Sequence, residues 1–268
     1  MAFSVLPFGV TAVEFSIVTF IAAFVGISLI IGASKYIKTW FIAAFAFGVY
    51  LWYFTDTLGD ANYLNVNQGF VLSAELVSLV ALFAIGVIVF FGMDRRIFVV
   101  SEETARYGMM VALLAALALG LHGFGEGADF GYSASVTPSN TLLDAFGGLA
   151  PAASWVLHKM LEPTIAAACY VAFAGVAVKK SRDKIIDALT LAVVFVIPPI
   201  LGSIAGYYVT FDHTYAFALG LGASVYAVAR VARSMFSAAG EAVSGLSLKM
   251  AIAAIIGFIL IFISALLH

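Results

Sequence analysis

Charge is what this chain has least of. Only 10% of its 268 residues are Asp, Glu, Lys or Arg, against about 25% in an ordinary soluble domain. So little polar surface does not cover a water-soluble globule. The hydrophobic share of 63% and the mean hydropathy of +1.10 direct the surplus apolar surface toward lipid. The net charge of −2 excludes a polyanion-binding face, so no nucleic-acid partner is expected. Cysteine is all but missing. Cys169 alone, inside an apolar run, excludes an intrachain disulfide and carries no message about redox compartment. No basic stretch precedes the first apolar run, which therefore reads as a first span and not as a cleaved signal peptide. No linker, low-complexity tract or separate soluble domain interrupts residues 1–268, which read as a single transmembrane domain.

What the chain does have is long apolar runs. A helix needs about 20 residues to cross the hydrocarbon core. Eight runs approach or exceed that length: Val10–Ile31, Trp40–Leu58, Phe70–Phe91, Tyr107–Phe130, Ala152–Val178, Ile185–Val209, Tyr215–Met235 and Met250–Leu267. They show none of the short alternating segments of a membrane barrel, and lipid leaves the backbone no partner outside itself. The expectation is an all-α, polytopic membrane protein with eight spans. Pro198-Pro199 in span six is expected to kink or interrupt that helix, and Gly202 and Gly206 give it a small-residue face for packing.

The few basic residues are unevenly placed. Lys35 and Lys38 follow span one, Arg95, Arg96 and Arg106 separate spans three and four, and Lys179, Lys180, Arg182 and Lys184 separate five and six. Arg230, Arg233 and Lys249 flank the turn between seven and eight. The connections near Asp60–Gln68, Gly131–Pro151 and Asp212–His213 contain no Lys or Arg. Twelve of thirteen basic residues thus fall on one side. The positive-inside rule makes that side the cytoplasm and puts both termini outside. Ala44-Phe45-Ala46-Phe47-Gly48 in span two and Ala216-Phe217-Ala218-Leu219-Gly220 in span seven form a faint echo of the kind an inverted repeat leaves.

Lys159, the thirteenth, lies within span five as His158-Lys159-Met160-Leu161-Glu162-Pro163. Span four carries His122-Gly123-Phe124-Gly125-Glu126-Gly127, with Asp129 beyond. A charged side chain at membrane depth costs about 2.5–3.5 kcal/mol even on mild scales, and such residues mark functional sites by default. Each span offers His-x-x-x-Glu, which puts both groups on one helical face. At about 1.5 Å rise per residue, His122 and Glu162 each sit about 4.5 Å outside their span centres, and Glu126 and His158 each about 10.5 Å. In an antiparallel pair, His122 then faces Glu162 and Glu126 faces His158. The glycines beside them permit close approach, and Pro163 frees the carbonyl near Lys159.

Imidazole with carboxylate suits Zn, Fe(II), Mn or Co, and disfavours Mg and Ca. The alternative is a structural polar network, each His paired to a Glu. His213 and His268 read as solvated histidines, and Asp56 and Asp60 as a solvated helix end or an acidic mouth that gathers cations. Glu14 and Glu75 read as interfacial. Two directions are open for Lys159: its ammonium turns in toward the neighbouring carboxylates, or it snorkels to the outer surface.

On these residues the chain resembles the ZIP family (Zrt-, Irt-like proteins) of metal transporters. Eight spans with both termini outside match that family's plan. His122 to Gly127 looks like its His-Asn-x-x-Glu/Asp-Gly signature, and His158 to Glu162 like the partner element in span five. Pro198-Pro199-Ile200-Leu201-Gly202 is similar to its Pro-x-x-x-Gly stretch. The small-residue run ending in Tyr226 and the segment Ile256 to His268 also look like family members.

The resemblance implies transport of a divalent metal, zinc first and iron or manganese next, and no enzymatic activity. It further implies alternating access, with spans one, four, five and six moving against two, three, seven and eight, and often a homodimer in the membrane lipid. Gly123 stands where the family has Asn, Lys159 where it has an acidic or polar residue, and span six has no bridging acid. One site, made of His122, Glu126, His158 and Glu162, is then intact and the second is lost, its ion replaced by the ammonium of Lys159 if that side chain turns inward. The short inner loop after span three, without a His-rich run, implies a prokaryotic plasma membrane.

Other classes stay open: a metal-binding or structural subunit that does not transport, a zinc-dependent lipid hydrolase, haem ligation by His122 and His158, or a retinal-type Schiff base on Lys159. The orientation is checked by cysteine scanning. A cysteine near Asn140 should react with an impermeant reagent from outside and one near Arg182 only from inside; the reverse pattern inverts the assignment.

Overall fold

With no water to satisfy it, backbone inside a bilayer closes its hydrogen bonds within helices. The computed structural model describes residues 7–60, 74–100, 104–137, 139, 141–174, 179–239 and 248–266, and among them only helices and their connections occur. In chain order these are α1 (Phe8–Ala33), α2 (Thr39–Asp60), α3 (Ala74–Val100), α4 (Thr104–Val136), α5 (Leu142–Ala145), α6 (Leu149–Leu161), α7 (Thr164–Phe173), α8 (Ser181–Tyr208), α9 (Thr214–Ala239) and α10 (Leu248–Ala265). Seven of them, α1 to α4 and α8 to α10, are long and apolar enough to cross a membrane. The chain is an all-helical, polytopic membrane protein. Its outer helices turn aliphatic stripes toward lipid, such as Val77, Val80 and Ile88 on α3 and Ile252, Ile255 and Ile259 on α10, all exposed. Asn140, His268 and the connection after Asp60 fall outside the described residues.

The fifth apolar run is built differently from the others. α6 stops at Leu161, Glu162 and Pro163 form a turn, and α7 restarts at Thr164. Proline has no N–H to give the Lys159 carbonyl. The chain tightens there: the Ile165 amide donates to the Glu162 carbonyl at 3.1 Å, and the Thr164 hydroxyl donates to the carbonyl of Leu161. α1 lies directly against this break. A Cβ on Gly26 would come within 1.8 Å of the Met160 carbonyl oxygen, so only a glycine fits.

The helices gather into two sets. α1, α4, α6–α7 and α8 pack on one another, as do α2, α3, α9 and α10, and the sets meet chiefly where α4 lies on α9 and α2 on α7. The tightest seam joins α4 to α8. Gly127 and Gly131 of α4 face the carbonyls of Pro199 and Ser203, while Gly202 and Gly206 of α8 face those of Phe124 and Ala128. At each, an added Cβ would stand 2.0 to 2.1 Å from oxygen.

One expectation is corrected here. The glycines beside His122 do not serve an approach to span five: Gly123 and Gly127 receive α8, and Gly125 receives the Phe217 ring of α9. Of the two outcomes open to Pro198-Pro199, a kink or an interruption, the second does not occur: α8 runs unbroken from Ser181 to Tyr208. The Phe195 carbonyl, deprived of its helical partner by Pro199, is covered by the close approach of Gly120. The two Ala-Phe-Ala segments play unlike parts, since Gly48 receives the Ala254 carbonyl of α10 and Gly220 the backbone of His122.

Replacing Gly127 with alanine should lower stability by about 1–3 kcal/mol through overpacking of the α4–α8 seam. Gly92→Ala, where nothing lies within 4 Å of the new Cβ, should cause no loss. Thermal unfolding of both variants in detergent checks the contrast.

Candidate metal centre

His122 and Glu126 stand one turn apart on α4, His158 and Lys159 occupy the last turn of α6, and Glu162 sits at the Pro163 break. The break matters locally because it ends α6 beside α4 with a carboxylate at its tip. Nitrogen or oxygen atoms of His122, Glu126 and Glu162 all lie within 4.8 Å of one another. Ligands sharing one ion at about 2.1 Å stand roughly 3.4 Å apart, so modest rotamer adjustment brings these three onto a common centre.

Lys159 enters the same cluster. It is fully buried, and its ammonium donates to Glu126 Oε2 and, at 2.7 Å, to Glu162 Oε2. It therefore points inward and does not snorkel. Trp155 and Phe195 flank the ammonium at 4.9 and 5.9 Å from their ring centroids. The indole is pinned in turn, donating from Nε1 to Thr19 Oγ1 at 3.2 Å.

The two carboxylates are thus divided lengthwise. Each Oε2 is held by the ammonium, and each Oε1 is turned to an imidazole. His122 Nε2 is 3.6 Å from Glu126 Oε1, and His158 Nε2 is 3.2 Å from Glu162 Oε1. Neither contact is a well-formed hydrogen bond. Both ring nitrogens of His122, Nε2 of His158 and Oε1 of Glu162 are buried without a hydrogen-bond partner. Each such orphan costs about 1–3 kcal/mol, and here four of them, all atoms that ligate metals, share one small volume.

Around this centre stand residues from the other helix set. Asp56 of α2, classed from sequence as a helix end or acidic mouth, lies 3.9 Å from His158 Nε2. The Tyr53 ring meets His122 edge-on at 4.9 Å, and Phe217 of α9 lies 5.2 Å from it. Glu126 keeps 16% of its side chain accessible and Asp56 35%, while His122 and Glu162 keep 1% each. Access to the centre therefore runs past the two acids. Asp129 is not at the centre: it is half exposed and pairs with His213 Nε2 at 3.1 Å, so His213 is not a plain solvated histidine. Gly123 lies against the Pro199 ring.

A second polar cluster has no counterpart in the sequence reading. Asp94 of α3 accepts from the hydroxyls of Tyr226 at 2.9 Å and Tyr107 at 3.2 Å and from the guanidinium of Arg230. Nearby in kind, Asp187 accepts from Lys179 at 2.7 Å and from the Tyr170 hydroxyl. These fasten helix ends where the basic residues gather. Asp94 and Arg230 are 136 residues apart, and no local pattern links them.

Neither a scan against protein-family models nor a search of curated proteins returns a match.

Lys159→Ala removes the cation that bridges the buried Glu162 and the part-buried Glu126. It should destabilise the protein by about 3–5 kcal/mol, the usual result of breaking a buried pair from one side. Lys159→Ala with Glu162→Gln should recover a large part of that loss. Melting curves for both variants test this; an unchanged curve for Lys159→Ala removes the lysine from the cluster.

Proposed function

We propose that the protein carries a divalent transition-metal cation, zinc foremost and iron or manganese next, across a prokaryotic plasma membrane as a ZIP-like transporter. In this reading α6, the Glu162–Pro163 break and α7 together complete an eighth crossing, the basic end of the bundle faces the cytoplasm, and both termini lie outside. The substrate ion is held by His122, Glu126 and Glu162, with His158 turning in as a fourth ligand. The observation that carries the proposal is the lengthwise division of the carboxylates. With both Oε2 atoms given to Lys159, the Oε1 atoms and the orphaned imidazole nitrogens still face one another. Lys159 stands in for a second ion, and the site takes one metal.

The clamp also sits where transport can tolerate it. Lys159, Glu126 and Glu162 all belong to the set formed by α1, α4, α6–α7 and α8, so their ion pairs do not tie that set to the other. Tyr53, Asp56 and Phe217, which line the other side, belong to α2 and α9. The clamp thus moves with one set, while the Asp94–Tyr107, Arg230–Tyr107 and His158–Asp56 contacts between the sets would have to part in alternating access.

A second reading is favoured by one observation: the ammonium already satisfies half of each carboxylate. The protein is then a metal-binding or structural subunit on a ZIP-like scaffold that does not transport.

Zinc uptake into proteoliposomes, with metal analysis of the same protein, separates these. The proposal predicts saturable uptake and about one tightly bound ion per chain, both lost in His122→Ala and Glu162→Gln. Protons compete for the imidazoles, so affinity should weaken as pH falls through the histidine range. One bound ion without uptake selects the second reading. No bound ion, or two equivalent ones, rejects both.

A further inference from the structure

Far from the metal centre, α1 and α8 part at the basic end of the bundle around a cavity of about 180 Å³. Ser28 and Gly32 of α1 and Lys35 in the turn that follows it form one wall, and Ser181, Lys184 and Ile185 of α8 the other. Lys35 and Ser181 are exposed and Lys184 is half-buried. Among the described residues no carboxylate lies within ion-pair distance of either lysine. Asp187, on the next turn of α8, is engaged by Lys179 and Tyr170. Two ammonium groups and two hydroxyls thus share one recess, a donor set suited to a phosphate ester.

The same seam opens again nearer the middle of the membrane. There a cavity of about 260 Å³ is lined by Ile17, Phe20, Val193, Val196, Ile197 and Ile200, with Ser16 its one polar neighbour. Val193 and Ile197 are exposed, so the cavity lies on the lipid-facing surface. From Gly32 to Phe20 is about 18 Å along α1 at the helical rise, the length of an extended acyl chain. A free phosphate has no use for this second cavity; a phospholipid has a use for both. Basic recesses between spans on the positive side are recognised seats for anionic headgroups.

We propose that the α1–α8 seam holds one anionic phospholipid, its phosphate between Lys35 and Lys184 and one acyl chain lying against Ile17, Phe20, Val193 and Ile197. A zwitterionic lipid is disfavoured because its ammonium would meet two lysines. This assignment is independent of what the metal centre does.

The test is native mass spectrometry of the detergent-purified protein titrated with phosphatidylglycerol or phosphatidylcholine in mixed micelles. Wild type should retain one phosphatidylglycerol in preference to phosphatidylcholine by roughly 30-fold, the factor expected of two lysines near a headgroup. Lys35→Glu with Lys184→Glu should abolish the preference. Gly32→Leu keeps both lysines and meets nothing within 4 Å of its Cβ; it should abolish retention by filling the recess while leaving the melting curve of the protein unchanged. Equal retention of the two lipids by wild type overturns the proposal, as does undiminished retention of phosphatidylglycerol in both variants. Wild type that binds inorganic phosphate through the same lysines, yet holds no lipid, also overturns it.

Discussion

The ammonium of Lys159, held between Glu126 and Glu162, is the interaction on which the site depends. Two carboxylates buried this close in a membrane protein repel each other, and each pays heavily for leaving water. With the lysine between them the cluster carries one net negative charge, and the remaining carboxylate oxygens are set toward the imidazoles. Without it, one carboxylate must take up a proton or the helices must separate. A divalent ion at the Oε1 side would turn that single negative charge into a single positive one, a smaller charge imbalance than binding two ions would bring.

The backbone makes this arrangement by giving up helical regularity in one place and insisting on it elsewhere. Pro163 ends α6 so that Glu162 stands at a helix tip beside α4. Gly26 lets α1 cover the exposed Met160 carbonyl. On the other face of α4, four glycines in two helices bring α4 and α8 into carbonyl contact, which fixes the height of His122 and Glu126 relative to Phe195, one wall of the lysine's pocket. Packing of this kind substitutes for the hydrophobic driving force that lipid cannot supply between helices.

Much of this is legible in residue order. Apolar runs of bilayer length locate the seven long helices because period and length carry that information without tertiary help. The two His-x-x-x-Glu motifs mark the cluster, since ionisable groups stand out against so apolar a chain. Their pairing is less legible. Depth along an ideal helix set His122 against Glu162 and Glu126 against His158. In the structure Glu126 is bridged to Glu162 by Lys159, and His158 turns to Glu162 and Asp56. Depth read along one straight helix fails for span five because the Pro163 break alters both rise and rotation just where the motif lies. The direction of Lys159 also depends on Phe195 of α8, which no spacing rule links to it; Trp155, four residues earlier on α6, is the wall that helical spacing offers. Asp94 with Arg230 shows the same limit, as a pair made wholly by tertiary packing.

Zinc K-edge absorption of the metal-loaded protein reads the atoms proposed to hold the ion. A first shell of nitrogen and oxygen alone at about 2.0–2.2 Å is expected, with imidazole scattering that diminishes without vanishing in His158→Ala, which leaves His122, Glu126 and Glu162 in place. A sulfur shell at about 2.3 Å, or imidazole scattering unchanged by His158→Ala, would contradict that ligand set.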